Sequence, residues 1–298
     1  MLSRLLISTV EHLLSQSYAD TTILSTAPVG GGCIHQAYKI ETTNGPFFIK
    51  WNSHLPPGIF TSEAHGLSLL RDAGAVRTPE VIFISDNASV SGLEFILMEW
   101  IDSVPQGYDP ALLGEKLAAL HCTLSPTQMV GLNNDNFIGM TPQINHWSVN
   151  WVEFFRDNRL AYQIELAKKN GRMPPKRLRK LETLTARLDE FLAKPSPPPS
   201  LLHGDLWTGN ILGTTGGEPC LIDPAVYYGD REAELAYTEL FGGFSERFYQ
   251  AYQSVLPLEP GYNKRRDIYN LYHLLNHLNI FGEQYGFQID SILRSYLG

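Results

Sequence analysis

The hydrophobic periodicity of this 298-residue chain changes once, near residue 100. Before that point the apolar patterns favour strands, in "TTILSTAPVG", "CIHQAYKIE", "PFFIKW", "EVIFISD" and "LEFILMEWI". One helix interrupts them, "TSEAHGLSLLRDAG", which we expect to open on a Thr or Ser cap and to close at Gly74. Beyond residue 100, long segments with helical spacing dominate. We therefore predict an α+β fold of two lobes, a small β-rich lobe over residues 1–100 and a larger, mainly helical lobe over residues 101–298.

Composition excludes several classes of function. The net charge of −8 argues against a nucleic-acid partner, and the one compact basic run, Lys176–Lys180, is typical of the solvated face of a helix. The cysteines Cys33, Cys122 and Cys220 are scattered without a C-x-x-C pair, which indicates neither a disulfide framework nor a zinc site. The first residues predict an amphipathic helix, and no apolar run approaches the length of a membrane span. We expect a cytoplasmic protein without a membrane partner.

Three consecutive glycines, Gly30, Gly31 and Gly32, lie between two predicted strands. Glycines let the backbone turn tightly and bring N–H groups close to an anion, so the segment suits a phosphate loop, with a plain hairpin turn as the alternative. The next strand carries Lys50, whose charge is costly among apolar neighbours unless it is paired, and Glu63 on the following helix is placed to pair with it. These three features, in this order, are how kinase-type folds position nucleotide phosphates.

The segment "LLHGDLWTGNIL" places two polar side chains, Asp205 and Asn210, in an apolar run, each beside a glycine. In the protein-kinase catalytic loop an Asp accepts the proton of the attacking hydroxyl, and an Asn five residues later binds a metal ion. A further carboxylate, Asp223, follows the apolar "CLI", and oxygen ligands of this kind suit magnesium. The alternative, that Asp205 and Asn210 only cap local turns, explains neither their spacing nor Asp223. The pattern predicts magnesium-assisted phosphoryl transfer.

"HGDLWTGN" and "IDPAVYYGDREAELA" resemble the aminoglycoside-phosphotransferase and choline-kinase branch of small-molecule kinases. With "GGGCI", "TPQINHWSVNWVEFF", "ELFGGFSERFYQAY" and "LYHLLNHLNIFG", they are similar to the fructosamine kinase (ketosamine-3-kinase) family over about residues 22–282. The resemblance implies a protein-kinase-like fold and transfer of the γ-phosphate of ATP, with Mg²⁺, to the C3 hydroxyl of a sugar joined to an amine through a ketoamine link. The phosphorylated adduct is less stable, which implies deglycation of a small-molecule ketosamine or a glycated lysine.

The resemblance also implies a role for each motif residue. Asp205 becomes the proton acceptor, Asn210 and Asp223 become magnesium ligands, and Lys50 with Glu63 becomes the pair that orients the phosphates. The remaining nucleotide contacts are expected from the phosphate loop and the inter-lobe strand, namely Gly30, Gly31, Gly32, Cys33, Ile34, Met98, Glu99, Trp100 and Ile101.

Three positions near the catalytic segment have two interpretations each. Trp207 is a candidate platform for the sugar ring, with core packing as the alternative. Asp230 either contacts the substrate hydroxyls or caps the following helix, which is the more frequent role for such a residue. His203 either orients the catalytic loop or is simply a satisfied buried histidine.

Other candidate motifs have simpler explanations. His273 and His277 lie four residues apart but lack the acidic partner of a zincin motif, so a packed helix is favoured. Trp147, Trp151 and Phe155 predict an amphipathic stripe on one helix, with a wall of the acceptor pocket as the second interpretation.

Several hypotheses stay open from the sequence. Another small-molecule kinase of the same fold, acting on an aminoglycoside or choline, is the first alternative function, and a non-catalytic ATP-binding scaffold is the second. The missing "D-F-G" and "A-P-E" segments favour a small acceptor over a docked protein. Cys33, in the phosphate loop, suggests a thiol whose oxidation blocks ATP, with a buried inert thiol as the alternative.

Overall fold

The computed structural model describes residues 2–18, 20–30, 36–52, 56–85, 94–105, 107–192 and 198–298. The chain divides into two compact units. The first comprises Met1–Asp109 and Gly209–Pro224, and the second comprises Pro110–Thr208 and Ala225–Gly298. Local sequence patterns do not indicate that the segment 209–224 groups with the N-terminal residues, and the lobe boundary at residue 100 stays a prediction.

The helices and strands of the described residues are numbered in chain order. The helices are α1 (Arg4–Ser17), α2 (Ile59–Asp72), α3 (Pro110–His121), α4 (Trp151–Phe154), α5 (Tyr162–Lys169), α6 (Pro175–Ala186), α7 (Leu188–Leu192), α8 (Arg231–Leu240), α9 (Glu246–Val255), α10 (Tyr262–Phe281) and α11 (Gly286–Leu297). The strands are β1 (Ile23–Pro28), β2 (Gln36–Thr42), β3 (Gly45–Asn52), β4 (Val81–Ser85), β5 (Glu94–Glu99), β6 (Ser103–Val104), β7 (Asn136–Ile138), β8 (Thr141–Gln143), β9 (Ser200–Leu202), β10 (Ile211–Thr214), β11 (Pro219–Leu221) and β12 (Tyr227–Gly229).

A five-stranded antiparallel sheet in the order β1-β2-β3-β5-β4 dominates the first unit. Burial alternates along β2, so one face of that strand points into the core. Helix α1 contributes Leu6, Val10 and Leu14 to the same core, which confirms the amphipathic first helix. A smaller sheet, β11-β10-β6, completes this unit.

Helix α2 starts differently from our expectation. Its N-cap is Gly58, at φ +83°, and the helix already includes the buried Ile59 and Phe60. The Thr or Ser cap was therefore wrong, because burial of these two apolar side chains draws them into the first turn. The expected end is confirmed, since Gly74 follows the helix at φ +67° and donates its N–H to the carbonyl of Arg71.

The second unit is mainly helical and is organised around α10, which packs against α5, α8 and α11. Helix α3 lies along α9, and two short antiparallel pairs, β9–β12 and β7–β8, complete the unit. The expected α+β class, with a β-rich N-terminal part and a helical C-terminal part, is confirmed. Within the described ranges, no helix has both the length and the apolar character needed to cross a membrane.

The helix that we predicted from Trp147 begins later, at Trp151. Asn150 is its N-cap, and the side-chain Oδ1 of Asn150 accepts the backbone N–H groups of Val152 and Glu153 at 2.8 and 3.3 Å. Trp147 precedes this cap, so the prediction of a single helical stripe that includes it was wrong.

After α4 the helix widens into a π-helical segment, Phe155–Ala161, before α5. This segment carries Arg159, a fully buried arginine. Its guanidinium donates hydrogen bonds to the carbonyl of Ile144 and to Oδ1 of Asn145, and it lies over the ring of Tyr227 at 4.1 Å.

Candidate active site

Lys50, on β3, has a side chain that is only 8% exposed and an ammonium group that contacts two carboxylates. Its Nζ lies 2.7 Å from Oε1 of Glu63 on α2 and donates a second hydrogen bond to Oδ1 of Asp223. Burial alone would lower the pKa of Lys50, but the charges and hydrogen bonds of Asp223 and Glu63 outweigh burial and raise it. Lys50 is therefore a fixed cation at physiological pH, as binding to phosphate oxygens requires.

Asp223 follows β11 and has a left-handed backbone, at φ +56°, which is uncommon for a residue other than glycine. The side chain of Asp223 is well exposed, whereas that of Lys50 is buried. The N–H of the preceding Ile222 donates to the carbonyl of Asn210 at 3.1 Å, which ties the two candidate metal-binding segments together. Carboxylate and amide oxygens are the ligands that a hard cation prefers, so the donor set fits magnesium.

Asp205 belongs to the second unit, where it follows a sharp turn at Gly204. Gly204 has φ +83°, and a Cβ added there would lie 1.9 Å from the carbonyl oxygen of Ala225, so only glycine fits. The N–H of Ala225 donates to the carbonyl of His203, and the N–H of Asp205 donates to Nδ1 of His203 at 3.3 Å. His203 thus contacts the turn from a fully buried position, which both interpretations of this residue predict.

Glu234, on α8, holds the same turn in place through hydrogen bonds, and the sequence analysis did not identify it. Its carboxylate accepts the backbone N–H groups of His203 at 3.1 Å and Gly204 at 2.6 Å, and it lies 2.9 Å from Nε2 of His121 on α3. Burial alone would raise the pKa of Glu234, but His121, His203 and the Gly204 N–H outweigh burial and lower it. The available signal was an acidic residue on the apolar face of a helix, which has to be paired if it is buried.

Trp207 and Asp230 have opposite environments. Trp207 is 39% exposed, which leaves ring surface accessible and does not fit the core-packing alternative. Asp230 is only 2% exposed and is the N-cap of α8. One carboxylate oxygen of Asp230 accepts the N–H of Glu232 at 3.0 Å, and the other accepts the hydroxyl of Tyr269 at 2.9 Å. Its capping role is therefore visible, whereas contact with a substrate stays a prediction.

The expected adenine-binding strand is β5 with the two residues after it. Met98 is buried and paired with both neighbouring strands, and the N–H of Glu99 donates to the carbonyl of Glu80 at 2.8 Å. The side chains of Glu99 and Trp100 are engaged by Arg77 at 2.6 Å and Asp102 at 2.9 Å. Ile101 is buried. Since these side chains are held by protein, the predicted recognition of adenine would depend on the remaining backbone groups.

The predicted phosphate loop is described only at its start. Gly30 has open space around the position of an added Cβ. Gly31, Gly32, Cys33 and Ile34 fall outside the residues that the structure describes, so their predicted contacts with the nucleotide, and the thiol hypothesis, stay predictions.

The sequence matches the family model described as fructosamine kinase over residues 6–298. A probable ketoamine kinase from Synechocystis is 39% identical over 291 residues, which are 95% of this chain and 96% of the relative. The chloroplastic protein-ribulosamine 3-kinase from Arabidopsis thaliana is 40% identical over 287 residues, which are 96% of this chain and 86% of that protein.

Solved structures agree with these relatives. A putative fructosamine-3-kinase from Thermobifida fusca superposes with a TM-score of 0.85 at 29% identity, covering 98% of this chain and 99% of its own. A thermostable mutant of an aminoglycoside phosphotransferase superposes with a TM-score of 0.66 at 19% identity, covering 97% and 99%. The second similarity shows the fold alone and confirms the expected protein-kinase-like fold. On the family match and these identities, the chain belongs to the fructosamine kinase family.

Proposed function

We propose that the protein transfers the γ-phosphoryl group of ATP to the C3 hydroxyl of a ketosamine. The observation that carries this proposal is the buried ammonium of Lys50, held by Glu63 at 2.7 Å and by Asp223. An isolated buried lysine is costly, and this one is held in place by two carboxylates, as a phosphate-binding cation needs to be. The choice of acceptor is supported by relatives named ketoamine kinase and protein-ribulosamine 3-kinase.

The roles of the other residues follow from the charge that phosphoryl transfer develops. Lys50 orients the phosphates, and Asn210 and Asp223 hold Mg²⁺ through their oxygens. Magnesium bound there supplies positive charge to the phosphate oxygens. Asp205 accepts the proton of the attacking hydroxyl, and the buried contacts of His203 and Gly204 keep its backbone in one conformation.

The acceptor is a small molecule or a small group on a larger one. The exposed ring of Trp207 offers a flat apolar face to the C–H surface of a sugar. A free ketosamine and a glycated lysine are alike at the reacting end, and we propose both as substrates. Loss of the phosphorylated adduct from the amine would make the reaction a deglycation step.

Turnover of ATP with magnesium against a panel of acceptors tests the proposal. The panel contains ribulose-lysine, fructose-lysine, the free sugars, an aminoglycoside and choline. We expect turnover with the two ketosamines. Turnover only with the aminoglycoside or choline would keep the catalytic assignment and overturn the substrate.

The substitution Asp205→Asn separates an enzyme from an ATP-binding scaffold. An enzyme loses turnover and keeps nucleotide binding, because the amide cannot accept the proton but retains the shape of the side chain. A variant with unchanged turnover would remove Asp205 from the mechanism, and a wild-type protein that binds ATP but phosphorylates nothing would favour the scaffold.

A further inference from the structure

His121, the last residue of α3, is a fully buried histidine with a hydrogen-bond partner at each ring nitrogen. Its Nδ1 lies 2.8 Å from the hydroxyl of Tyr252 on α9, and its Nε2 lies 2.9 Å from Oε2 of Glu234 on α8. All three residues belong to the second unit. Because the imidazole is held at both nitrogens, it keeps one orientation and joins the three helices at one point.

The donors and acceptors around His121 determine where its proton lies. The guanidinium of Arg231 can only donate, and it donates to the hydroxyl oxygen of Tyr252 at 3.1 Å. The Tyr252 proton is therefore donated onward to Nδ1 of His121. Because the carboxylate of Glu234 can only accept, the His121 proton lies on Nε2. We call Arg231, Tyr252, His121 and Glu234 the His121 network, in which every hydrogen bond is donated towards Glu234.

The protonation of Tyr252 and Glu234 agrees with this direction. Burial raises the pKa of Tyr252 above its ordinary value, although the charge of Arg231 opposes the shift, so the phenol keeps its proton. Burial alone would raise the pKa of Glu234, but hydrogen bonds and charges, those of His121 first among them, lower it. The carboxylate at the end of the network therefore stays ionised.

A close approach of α3 and α9 brings Tyr252 to His121. Gly114 lies about two turns before His121 on the same face of α3. A Cβ added at Gly114 would lie 2.3 Å from the carbonyl oxygen of Phe248 and 3.0 Å from the backbone nitrogen of Tyr252, so the two helices touch through their backbones. A larger residue there would push α9 away and separate the Tyr252 hydroxyl from Nδ1.

Glu234 connects this arrangement to the turn before Asp205. Its Oε2 is shared by Nε2 of His121 and the backbone N–H of His203, at 2.9 and 3.1 Å. Its Oε1 accepts the backbone N–H of Gly204 at 2.6 Å. Because a carboxylate is planar, the hydrogen bond from His121 fixes the rotation that both backbone N–H groups require. Without that bond, Oε2 would have one donor fewer and the carboxylate could turn away from the backbone.

We propose that His121 and Tyr252 are positioning residues for phosphoryl transfer, acting through Glu234 on the backbone that carries Asp205; this rests on the proposed function. Neither side chain needs to contact the substrate. Their contribution is to hold the turn at Gly204 in the conformation from which Asp205 accepts the proton of the acceptor hydroxyl. A change in that backbone would misplace the base without removing it.

Two substitutions at His121 separate its bond to Glu234 from its bond to Tyr252. Gln places its amide N–H₂ close to the position of Nε2 and can still donate to Glu234, whereas Asn places its amide near Nδ1 and cannot. We expect His121→Asn to lower kcat about 10- to 100-fold, the loss expected for a hydrogen bond to a charged group, with an unchanged KM for ATP. His121→Gln should stay within about threefold of the wild-type kcat. Equal losses of kcat in the two variants would overturn the inference.

Hydrogen exchange of the backbone amides of His203 and Gly204, followed by NMR, tests the same bond without any substrate. In His121→Asn both amides should exchange at least about tenfold faster than in His121→Gln, while amides in the middle of α10 exchange equally in the two variants. Equal exchange at His203 and Gly204, or faster exchange throughout the protein, would overturn the inference. If the wild type phosphorylates no acceptor, this measurement still decides whether His121 holds the turn, and only the proposed function fails.

The substitution Tyr252→Phe tests the part of the network further from the turn. It removes the hydroxyl that orients His121, and we expect kcat to fall about 3- to 10-fold, less than for His121→Asn because the lost bond joins two uncharged groups. Tyr262→Phe is the matched control, since buried Tyr262 donates its hydroxyl to Glu239, also on α8, at 2.6 Å, and its loss leaves kcat unchanged. An equal fall in kcat for the two tyrosine variants would assign the effect to general stability and overturn the inference.

Discussion

The carboxylate of Glu234 accepts the backbone N–H of Gly204 at 2.6 Å, although the two residues are thirty positions apart in the chain. The turn that precedes Asp205 is therefore held by a helix that follows it in the chain. A buried carboxylate that accepts two backbone N–H groups also leaves those donors satisfied, which an apolar helix face could not do.

Replacing Glu234 by Gln puts an amide N–H₂ where one of the two backbone donors needs an acceptor. We expect the protein to lose about 2–3 kcal/mol of stability and most of its kcat while nucleotide binding survives. Because the pKa of Glu234 is lowered, its contribution to wild-type stability is present above about pH 4.5 and is lost as the pH falls further. Urea unfolding across this pH range measures the stability loss and its pH dependence, and steady-state kinetics measure kcat. Glu239→Gln, on the same helix but partly exposed, serves as the control and changes stability by less than about 1 kcal/mol.

The substitution Lys50→Met leaves Glu63 and Asp223 without their shared cation. We expect turnover to fall by at least about 100-fold, and stability to fall by about 3 kcal/mol, the lower end for a broken buried pair because Asp223 is well exposed. Kinetics and thermal unfolding measure these losses. Lys168→Met removes a surface pair with Glu165, so it should leave turnover unchanged and stability within about 0.5 kcal/mol of the wild type. An equal effect of the two substitutions would contradict the importance given to the buried pair.

Substituting two glycines that have nearly the same backbone conformation separates the cost of backbone strain from the cost of steric overlap. Gly204 and Gly217 have φ of +83° and +80°, but an added Cβ meets the carbonyl of Ala225 at the first and open space at the second. Gly217→Ala costs about 1–2 kcal/mol from backbone strain alone. Gly204→Ala adds overpacking to that strain, costs about 3–5 kcal/mol in total and displaces the loop. Denaturant unfolding of the two variants gives the difference directly.

Magnesium dependence tests the candidate metal ligands. Chelation with EDTA should stop turnover, and the substitution Asp223→Asn should raise the magnesium concentration needed for half-maximal rate at least about tenfold, since a charged oxygen ligand is lost. Titration of magnesium at saturating ATP measures this shift. An unchanged requirement in the variant would assign the metal to other residues.

Thiol labelling distinguishes two of the cysteines. Burial raises the pKa of Cys220 to about 12, and the charges around it are secondary, so almost no thiolate forms at pH 8. Cys122 is exposed. Iodoacetamide at pH 8 should therefore modify Cys122 in the native protein and Cys220 only after unfolding, as peptide mass spectrometry would report. Labelling of native Cys220 at the same rate would mean that β11 opens readily.

A functional residue could be recognised from the sequence only where its signal lies in its own sequence neighbourhood. The spacing of Asp205 and Asn210 is local, and Lys50 is conspicuous in an apolar strand, so both could be recognised without a structure. Their roles in binding and catalysis stay predictions, although Lys50 and Glu63 are in contact. Glu234 could not be found in this way, because its partners His203 and Gly204 lie in a loop about thirty residues earlier and only the fold brings that loop to α8.

The first residues of helices were also difficult to predict from the sequence, because burial of neighbouring residues decides between candidate N-cap residues. The Thr or Ser cap expected for α2 was displaced by Gly58 because Ile59 and Phe60 are buried. Asn150, in contrast, carried a usable signal, because an Asn three residues before a Glu is a common start to a helix.

The π-helical segment Phe155–Ala161 limits the deletions that this part of the chain tolerates. A π-helical turn holds one more residue than an α-helical turn, so removing one residue would return the turn to α-helical winding and would shift the side chains inside it. Arg159 would then leave its place over Tyr227, and its partners Ile144 and Asn145 would lose a buried cation. Single-residue deletions should be more harmful between residues 155 and 161 than single substitutions at exposed positions of the same segment, because only the deletions displace Arg159 from its buried contacts.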